Sequence, residues 1–168
     1  MTADEEGLIA MVAREENMSS EEMTVVIFDL GDRQFAIRID YVREILEYRE
    51  PVAVPDTPEW LAGILDIAGD VLPVVSLHSR FEAEETDAKR HLINLTTEEG
   101  DMIFTADDVT AIRALNGDWV RPVEGASGER GADFLEGAVV LDKDLVLVVD
   151  PRKVVDMGAL RRVKAEAV

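Results

Sequence analysis

The sequence predicts a mainly β protein made of two copies of one small unit, and three observations carry that expectation. Apolar and polar residues alternate over short runs, as strands with one buried face require. Gly, Pro and Asp punctuate those runs at turn spacing. The order of runs in the first half then returns in the second, first 67 and later 74 residues downstream.

In the first unit Val26, Phe28 and Leu30 alternate, Gly31-Asp32 supplies a turn, and Phe35, Ile37 and Ile39 alternate again, which is a hairpin pattern. Asp40 stands as a helix N-cap with Val42, Ile45 and Leu46 at helical spacing behind it, so a short helix is expected there. Pro51, Pro55 and Pro58 mark a loop. Residues 64–67 and 71–77 read as two apolar strands around Ala68-Gly69-Asp70. Pro73 has no N–H to give to a ladder and predicts a sheet edge or a bulge.

Adding 67 takes Asp40, Val42 and Ile45 to Asp107, Val109 and Ile112, and takes Phe35, Ile37 and Ile39 to Met102, Phe104 and Ala106. Adding 74 takes Trp60, Leu61 and Gly63 to Phe134, Leu135 and Gly137, and Asp70, Val74 and Val75 to Asp144, Val148 and Val149. The shift grows because the loop carrying Gly117, Gly125, Gly128 and Gly131 is the longer one. Units of a hairpin, a helical turn and a second hairpin are too short for separate sandwiches. Two small curled barrels packed together solve the edge-strand problem. The expected division is an acidic tail at 1–22, one domain at 23–157 with units at about 23–88 and 89–157, and a second tail at 158–168. In the first tail Thr2 and Glu5 have capping-box spacing, and Leu8, Met11 and Val12 share a helical face. It reads either as a docked helix or as a frayed end.

Of the 168 residues 47% are hydrophobic, ample for a core. There is no Cys, which excludes disulfides and thiolate metal sites. With 36 acidic residues against 17 basic ones the net charge is −19. A field of that sign repels phosphate backbones and anionic lipid, so neither nucleic acid nor direct membrane insertion is expected. No run approaches a membrane span and the start of the chain is acidic, so a cytoplasmic protein is expected. The acidic excess suits solubility or a salt-rich cytoplasm.

Phe28-Asp29-Leu30-Gly31, Val42-Arg43-Glu44-Ile45-Leu46, Pro55 to Pro58, the block from Gly63 to Val75, Arg80-Phe81, Phe134-Leu135-Glu136-Gly137 and Leu145 to Asp150 stand in a telling order and spacing. Over residues 24–157 this arrangement resembles the CheW family of chemotaxis coupling proteins. The resemblance implies two five-stranded, SH3-like barrels with short connecting helices and no enzymatic activity. It implies an adaptor that joins the regulatory domain of a CheA-type histidine kinase to the cytoplasmic tips of chemoreceptors, recruited to membrane-associated arrays. The same domain also occurs fused to the kinase.

The resemblance also implies partner-binding residues: Val42, Arg43 and Glu44 from the V-x-E-I segment, Gly63, Asp66, Ala68 and Gly69 from the G-x-x-N-x-R-G motif, and Val109 on the second unit, with Val42 and Val109 flanking the cleft between units. Four positions depart from the family pattern. Asp66 replaces Asn, Ala68 replaces Arg, Ser76 replaces Asp and Glu82 replaces Gly. An exposed Arg offers five fixed donors and Ala offers none. The departures raise two variants of the same reading: a paralogue serving pilus motility or development, and one that binds kinase without coupling receptors.

The residues alone say something about the 66–70 turn as well. Across the 74 shift, core positions persist as Leu61/Leu135, Ile67/Leu141 and Val75/Val149, whereas Ala68 meets Asp142 and Gly69 meets Lys143. A duplicated fold keeps its packing and lets each surface specialise, so this turn is either a binding edge or a tolerant loop. Chemistry of other kinds finds little support. His78 and His91 lack a second ligand at metal-site spacing, so no metal is expected. Asp107, Asp108, Asp142 and Asp144 form no calcium loop, and Ser76 with His78 has no nucleophile elbow. Residues 125–131 lack the ending of a phosphate loop. Trp60 and Trp119 read as core or groove residues. No catalytic residue and no cofactor are expected. A small acidic enzyme or metal-binding β protein, the reading from another class, predicts titratable residues converging in one pocket.

Overall fold

The computed structural model describes residues 22–84, 89–123, 132–155 and Gly158. The segment with Leu8, Met11 and Val12 and the tail after Gly158 lie outside the described residues.

Alternation makes the strands. β1 (Glu22–Leu30) and β2 (Arg33–Arg38) form the expected hairpin about Gly31-Asp32, with Phe28 opposite Phe35. A single 3-10 turn at Ile39–Tyr41 leads into β3 (Val42–Glu47), then β4 (Leu61–Ile67), β5 (Asp70–Val75) and the short helix α1 (Leu77–Phe81). The second half follows with β6 (His91–Thr97), β7 (Gly100–Ala106), β8 (Asp108–Asn116), a 3-10 turn at Gly117–Trp119, another at Ala132–Phe134, β9 (Leu135–Leu141), β10 (Asp144–Val149) and α2 (Pro151–Val154). Each half is therefore five strands and a helical turn, in the same order.

The helix expected from Asp40 through Leu46 is a strand. A bulge between Val42 and Glu44 inserts one residue against β6, so Val42 and Ile45 share one face three residues apart while Leu46 turns to the other, a spacing that imitates a helical period. Pro73 lies one residue before β5 begins pairing with β7 at Val74, outside that ladder.

The strands form two five-stranded sheets, in orders β8-β1-β2-β10-β9 and β3-β6-β7-β5-β4. Neither sheet coincides with one half of the sequence. Each takes one hairpin from either half and a fifth strand from one of them, the hairpins being joined by the parallel pairs β2–β10 and β5–β7. A division near residue 88 thus separates the sequence repeats but not the sheets. The two shifts reappear in the register. Ala36 pairs with Val148 and Ile103 with Val74, the two pairs being related by the 67 shift on one strand and the 74 shift on the other. Phe28 pairs with Val109 and Leu95 with Val42, again 67 apart at both ends.

The core follows the same rule. One interior holds Val25, Ala36, Val139, Val146 and Val148; the other holds Leu92, Ile103, Leu65, Leu72 and Val74 at the equivalent places. Between them a larger cluster takes Phe28, Phe35 and Ile37 from one sheet and Ile93, Leu95, Met102 and Phe104 from the other. Phe28, Phe35, Phe81 and Phe134 continue through it with ring centroids 5.9, 4.8 and 5.8 Å apart. Offset and edge contacts of this kind add to the burial of apolar area.

One buried polar junction crosses this centre. Asp107 Oδ2 accepts from the Gly31 N–H at 2.7 Å, and His78 Nε2 lies 2.9 Å from Asp107 Oδ1. The β1–β2 turn, α1 and the end of β7 are pinned to one carboxylate, which satisfies groups that are costly to leave bare in an apolar interior.

Each sheet closes on itself through one bridge. Val52 N–H donates to Ile64 O at 3.0 Å and Ile64 N–H to Val52 O at 2.9 Å; Arg121 and Ala138 exchange the same bonds at 2.8 Å each. Gly63 and Gly137 lie directly beneath these crossings, where a Cβ would collide with the carbonyl of Val52 or Arg121. Gly63 also has φ +152°, a region closed to side chains.

The helices are capped equivalently. Ser76 Oγ accepts from Ser79 N–H at 3.2 Å, and Asp150 Oδ1 from Arg152 N–H at 3.0 Å. Asp150 also holds the Arg152 guanidinium through both oxygens at 3.0 Å. Burial raises the Asp150 pKa, but the bonds from Arg152 and the charges of Arg152 and Lys153 outweigh it and hold the carboxyl below its ordinary range.

Two outcomes are expected. Gly63→Ala and Gly137→Ala should each cost about 2–4 kcal/mol in urea unfolding, because the bridge must open to admit a methyl group. Asp150→Asn keeps a cap acceptor but loses the ion pair. A depressed carboxylate pKa stabilises the fold above the unfolded value of about 4 and loses that contribution as pH falls through the folded value. Arg152 is largely exposed, so the variant should be less stable by only about 1 kcal/mol at pH 7, and the difference should shrink as pH falls below about 4.

Candidate partner-binding surface

The residues expected to meet a partner fall on three elements. Val42, Arg43 and Glu44 lie on β3, Gly63 and Asp66 on β4, and Ala68 and Gly69 form the β4–β5 turn. Val109 lies on β8 in the other sheet. β3 and β4 are opposite edges of one sheet, and the Val52–Ile64 bridge draws the chain leaving β3 back against β4. Val42 and Val109 are both half-buried against the cluster between the sheets, so each borders the same apolar seam.

The polar members differ in how they are held. Arg43 is an exposed member of β3 with Nη1 3.0 Å from Asp101 Oδ2, and Glu44 Oε2 accepts from Asn94 Nδ2 at 3.3 Å. Both tether β3 to the β6–β7 hairpin. Asp66 Oδ1 accepts from the Gly69 N–H at 2.9 Å, capping the turn from within. An Asn oxygen would do the same, so Asp66 in place of Asn leaves the turn's geometry intact. Gly63 is buried under Val52, and its part is to let the edge close.

Ala68 and Gly69 have φ of 53° and 94°, and their equivalents Asp142 and Lys143 have φ of 51° and 74°. Both turns therefore need two left-handed residues, as tight hairpins do. Of the four, one is Gly. The remaining departures from the family pattern also acquire structural meaning. Ser76 caps α1 as Asp150 caps α2, and Glu82 ends α1 with φ 56°, a position that Gly occupies without strain.

Arg49, not anticipated from the sequence, joins this surface. Its Nη2 donates to the Asp66 carbonyl at 3.1 Å. Val52, three residues further along the bridging segment, is 64% exposed. The corresponding place on the other barrel is mainly apolar, with Asp118 and Arg121 at its border. Trp119, Val123, Val140 and Leu145 line one shallow depression there, and all four are exposed. Among the described residues no three of His, Cys, Asp and Glu are grouped so as to hold a metal.

The CheW-like domain family model matches residues 24–159. The chain belongs to the CheW family. Relatives include a probable chemotaxis protein CheW of Rhizobium etli, 24% identical over 136 residues, covering 80% of this chain and 88% of that one. The chemotaxis protein CheW of Treponema pallidum is 22% identical over 151 residues, covering 86% and 89%. Among solved structures, the scaffolding protein TtCheW of Thermoanaerobacter tengcongensis superposes with a TM-score of 0.69 at 21% identity, covering 76% of this chain and 84% of that one. That likeness agrees with the paired β architecture. CheW-family proteins are non-catalytic adaptors, and this chain is one of them.

Ala68 is the strained residue of a turn that the fold requires. Ala68→Gly should raise unfolding free energy by about 0.5–1 kcal/mol, the left-handed cost less the entropy that Gly adds to the unfolded chain. Thermal denaturation of the two proteins side by side would measure it.

Proposed function

We propose that this CheW-family chain is a chemotaxis-type coupling adaptor that joins the cytoplasmic tips of chemoreceptors to the regulatory domain of a CheA-type histidine kinase. Family membership supports the adaptor role in general, and the two ends of the molecule support its having two partners. By the register of the closing bridges, Arg121 stands where Val52 does. By the 74 shift, Val140 stands where Asp66 does and Leu145 where Val71 does. One end therefore presents Arg49, Asp66 and an Ala68-Gly69 turn, and the other presents Trp119, Val140 and Leu145. An adaptor needs two unlike surfaces fixed in one rigid frame, and this is the observation that carries the reading. The receptor tip is assigned to the polar end with the β3 residues Val42, Arg43 and Glu44. The apolar end is left for the kinase domain, since fully desolvated aromatic and aliphatic anchors supply most of the energy of a protein interface.

The protein is placed in the cytoplasm, at membrane-associated receptor arrays. Among the described residues no helix is long and apolar enough to cross a membrane, which agrees with attachment through partners.

Reconstitution of kinase and receptor fragments with and without this protein tests the proposal. Kinase autophosphorylation should rise in a receptor-dependent way only when the protein is present. Trp119→Ala should weaken kinase binding by about 2 kcal/mol or more. Kinase binding without receptor-dependent activation would favour a paralogue outside receptor coupling, and binding to neither partner would refute the adaptor reading.

A further inference from the structure

The β4–β5 turn has no outward side-chain donor of its own. Ala68 and Gly69 lack polar side chains, and Asp66 Oδ1 is occupied by the Gly69 N–H. The donor at this place comes from a segment 17 residues earlier, where Arg49 Nη2 meets the Asp66 carbonyl. Closure of the barrel puts it there. Val52 pairs antiparallel with Ile64, so the residues before Val52 run alongside the residues after Ile64.

The second barrel shows that closure does not require this arginine. The equivalent bridge, Arg121 to Ala138, forms there with bonds of 2.8 Å, no longer than those between Val52 and Ile64. Counting back three residues as from Val52 to Arg49 leads from Arg121 to Asp118, whose backbone N–H is taken by Asn116 Oδ1. Architecture accounts for the bridge in both copies and for the guanidinium in neither.

Charge makes the position selective. Glu47 and Glu50 flank Arg49, and Asp66 and Asp70 border the turn, in a chain of net charge −19. Within residues 47–52 and 61–70 Arg49 is the one cation. A partner carboxylate meets like charge along most of this edge; besides the Arg49 guanidinium the nearby cation is Lys89, whose ammonium lies over the Tyr48 ring. The fork has five donors, the Asp66 carbonyl takes one, and its planar geometry matches a carboxylate. Arg43 is differently placed, being already held to Asp101.

We infer that Arg49 is the specificity-determining contact of the polar end, receiving a carboxylate of the receptor's helical tip, with exposed Val52 as its apolar neighbour. This rests on the receptor-coupling reading above. The probe is a soluble helical-hairpin fragment of a chemoreceptor tip, titrated against the full chain. Arg49→Ala should weaken its binding about tenfold or more while kinase-domain affinity and melting temperature stay at wild-type values. Adding Ala68→Arg to that variant, which puts a guanidinium on the turn itself, should restore most of the loss. One Glu→Gln or Asp→Asn change in the hairpin should weaken wild-type binding and leave Arg49→Ala unaffected. Unaltered hairpin affinity in Arg49→Ala would overturn the assignment and leave the coupling reading standing. Joint loss of hairpin binding, kinase binding and thermal stability, without rescue by Ala68→Arg, would reduce Arg49 to a structural tie. A wild-type chain that fails to bind the hairpin at all would overturn the coupling reading and this assignment with it.

Discussion

Parallel pairing of β2 with β10, and of β7 with β5, is the constraint on which the rest of the molecule depends. Every other neighbouring pair in the two sheets is antiparallel: four are hairpins, and β1–β8 and β3–β6 add an outer strand from the opposite half. The two parallel pairs join the hairpins of opposite halves, and β1–β8 and β3–β6 bind the halves further into each other. A barrel built from residues before 88 alone would lack the β6–β7 hairpin at its centre. A barrel built from later residues alone would lack β1–β2. Neither half can bury its own core, so the fold is gained or lost as a unit, and the cluster between the sheets is continuous rather than an interface between two finished domains. Such long-range pairings are slow to form because loop closure precedes their reward.

That exchange also fixes the geometry of the proposed partner-binding surface. The ends of β3 and β8 project beyond their sheets and fold back onto β4 and β9 through single bridges. Gly63 and Gly137 are the passages that allow the backbones to approach so closely. Whatever the polar end does, its geometry is set by a two-bond crossing over a glycine, and by Asp66 holding the turn from inside. Side chains that point outward from this frame are free to change without disturbing it.

The fold was legible in the sequence to an unusual depth, because a duplication writes its register twice. The shifts of 67 and 74 counted along the chain are the same shifts that relate the paired residues of the two sheets. The exchange of hairpins was not legible, since alternation marks strands and turns but says nothing about which neighbour a strand chooses. The helix expected after Asp40 failed for a local reason: a bulge restores an inward position after three residues instead of two, and that spacing belongs to helices as well. Arg49 was invisible for a different reason. Its value comes from lying beside Asp66 across a bridge, a relation that depends on closure and leaves no pattern along the chain.

Structure also divides the four departures from the family pattern into two kinds. Asp66, Ser76 and Glu82 act mainly through the backbone. Asp66 and Ser76 accept from turn or helix N–H groups that Asn or Asp would satisfy equally, and Glu82 only has to tolerate a left-handed φ. Ala68 is the one whose loss is chemical, since its turn survives in the same conformation with no donor on its outer side. The glycine under the crossing and the carboxylate capping the turn are demanded by the fold itself, whereas the guanidinium leaning on the same strand is not, since the other barrel closes without one at that place. The scaffold of the edge is intact and a cation stands within reach of it. That combination fits an edge whose recognition chemistry has moved from one strand to its neighbour better than an edge that has fallen silent.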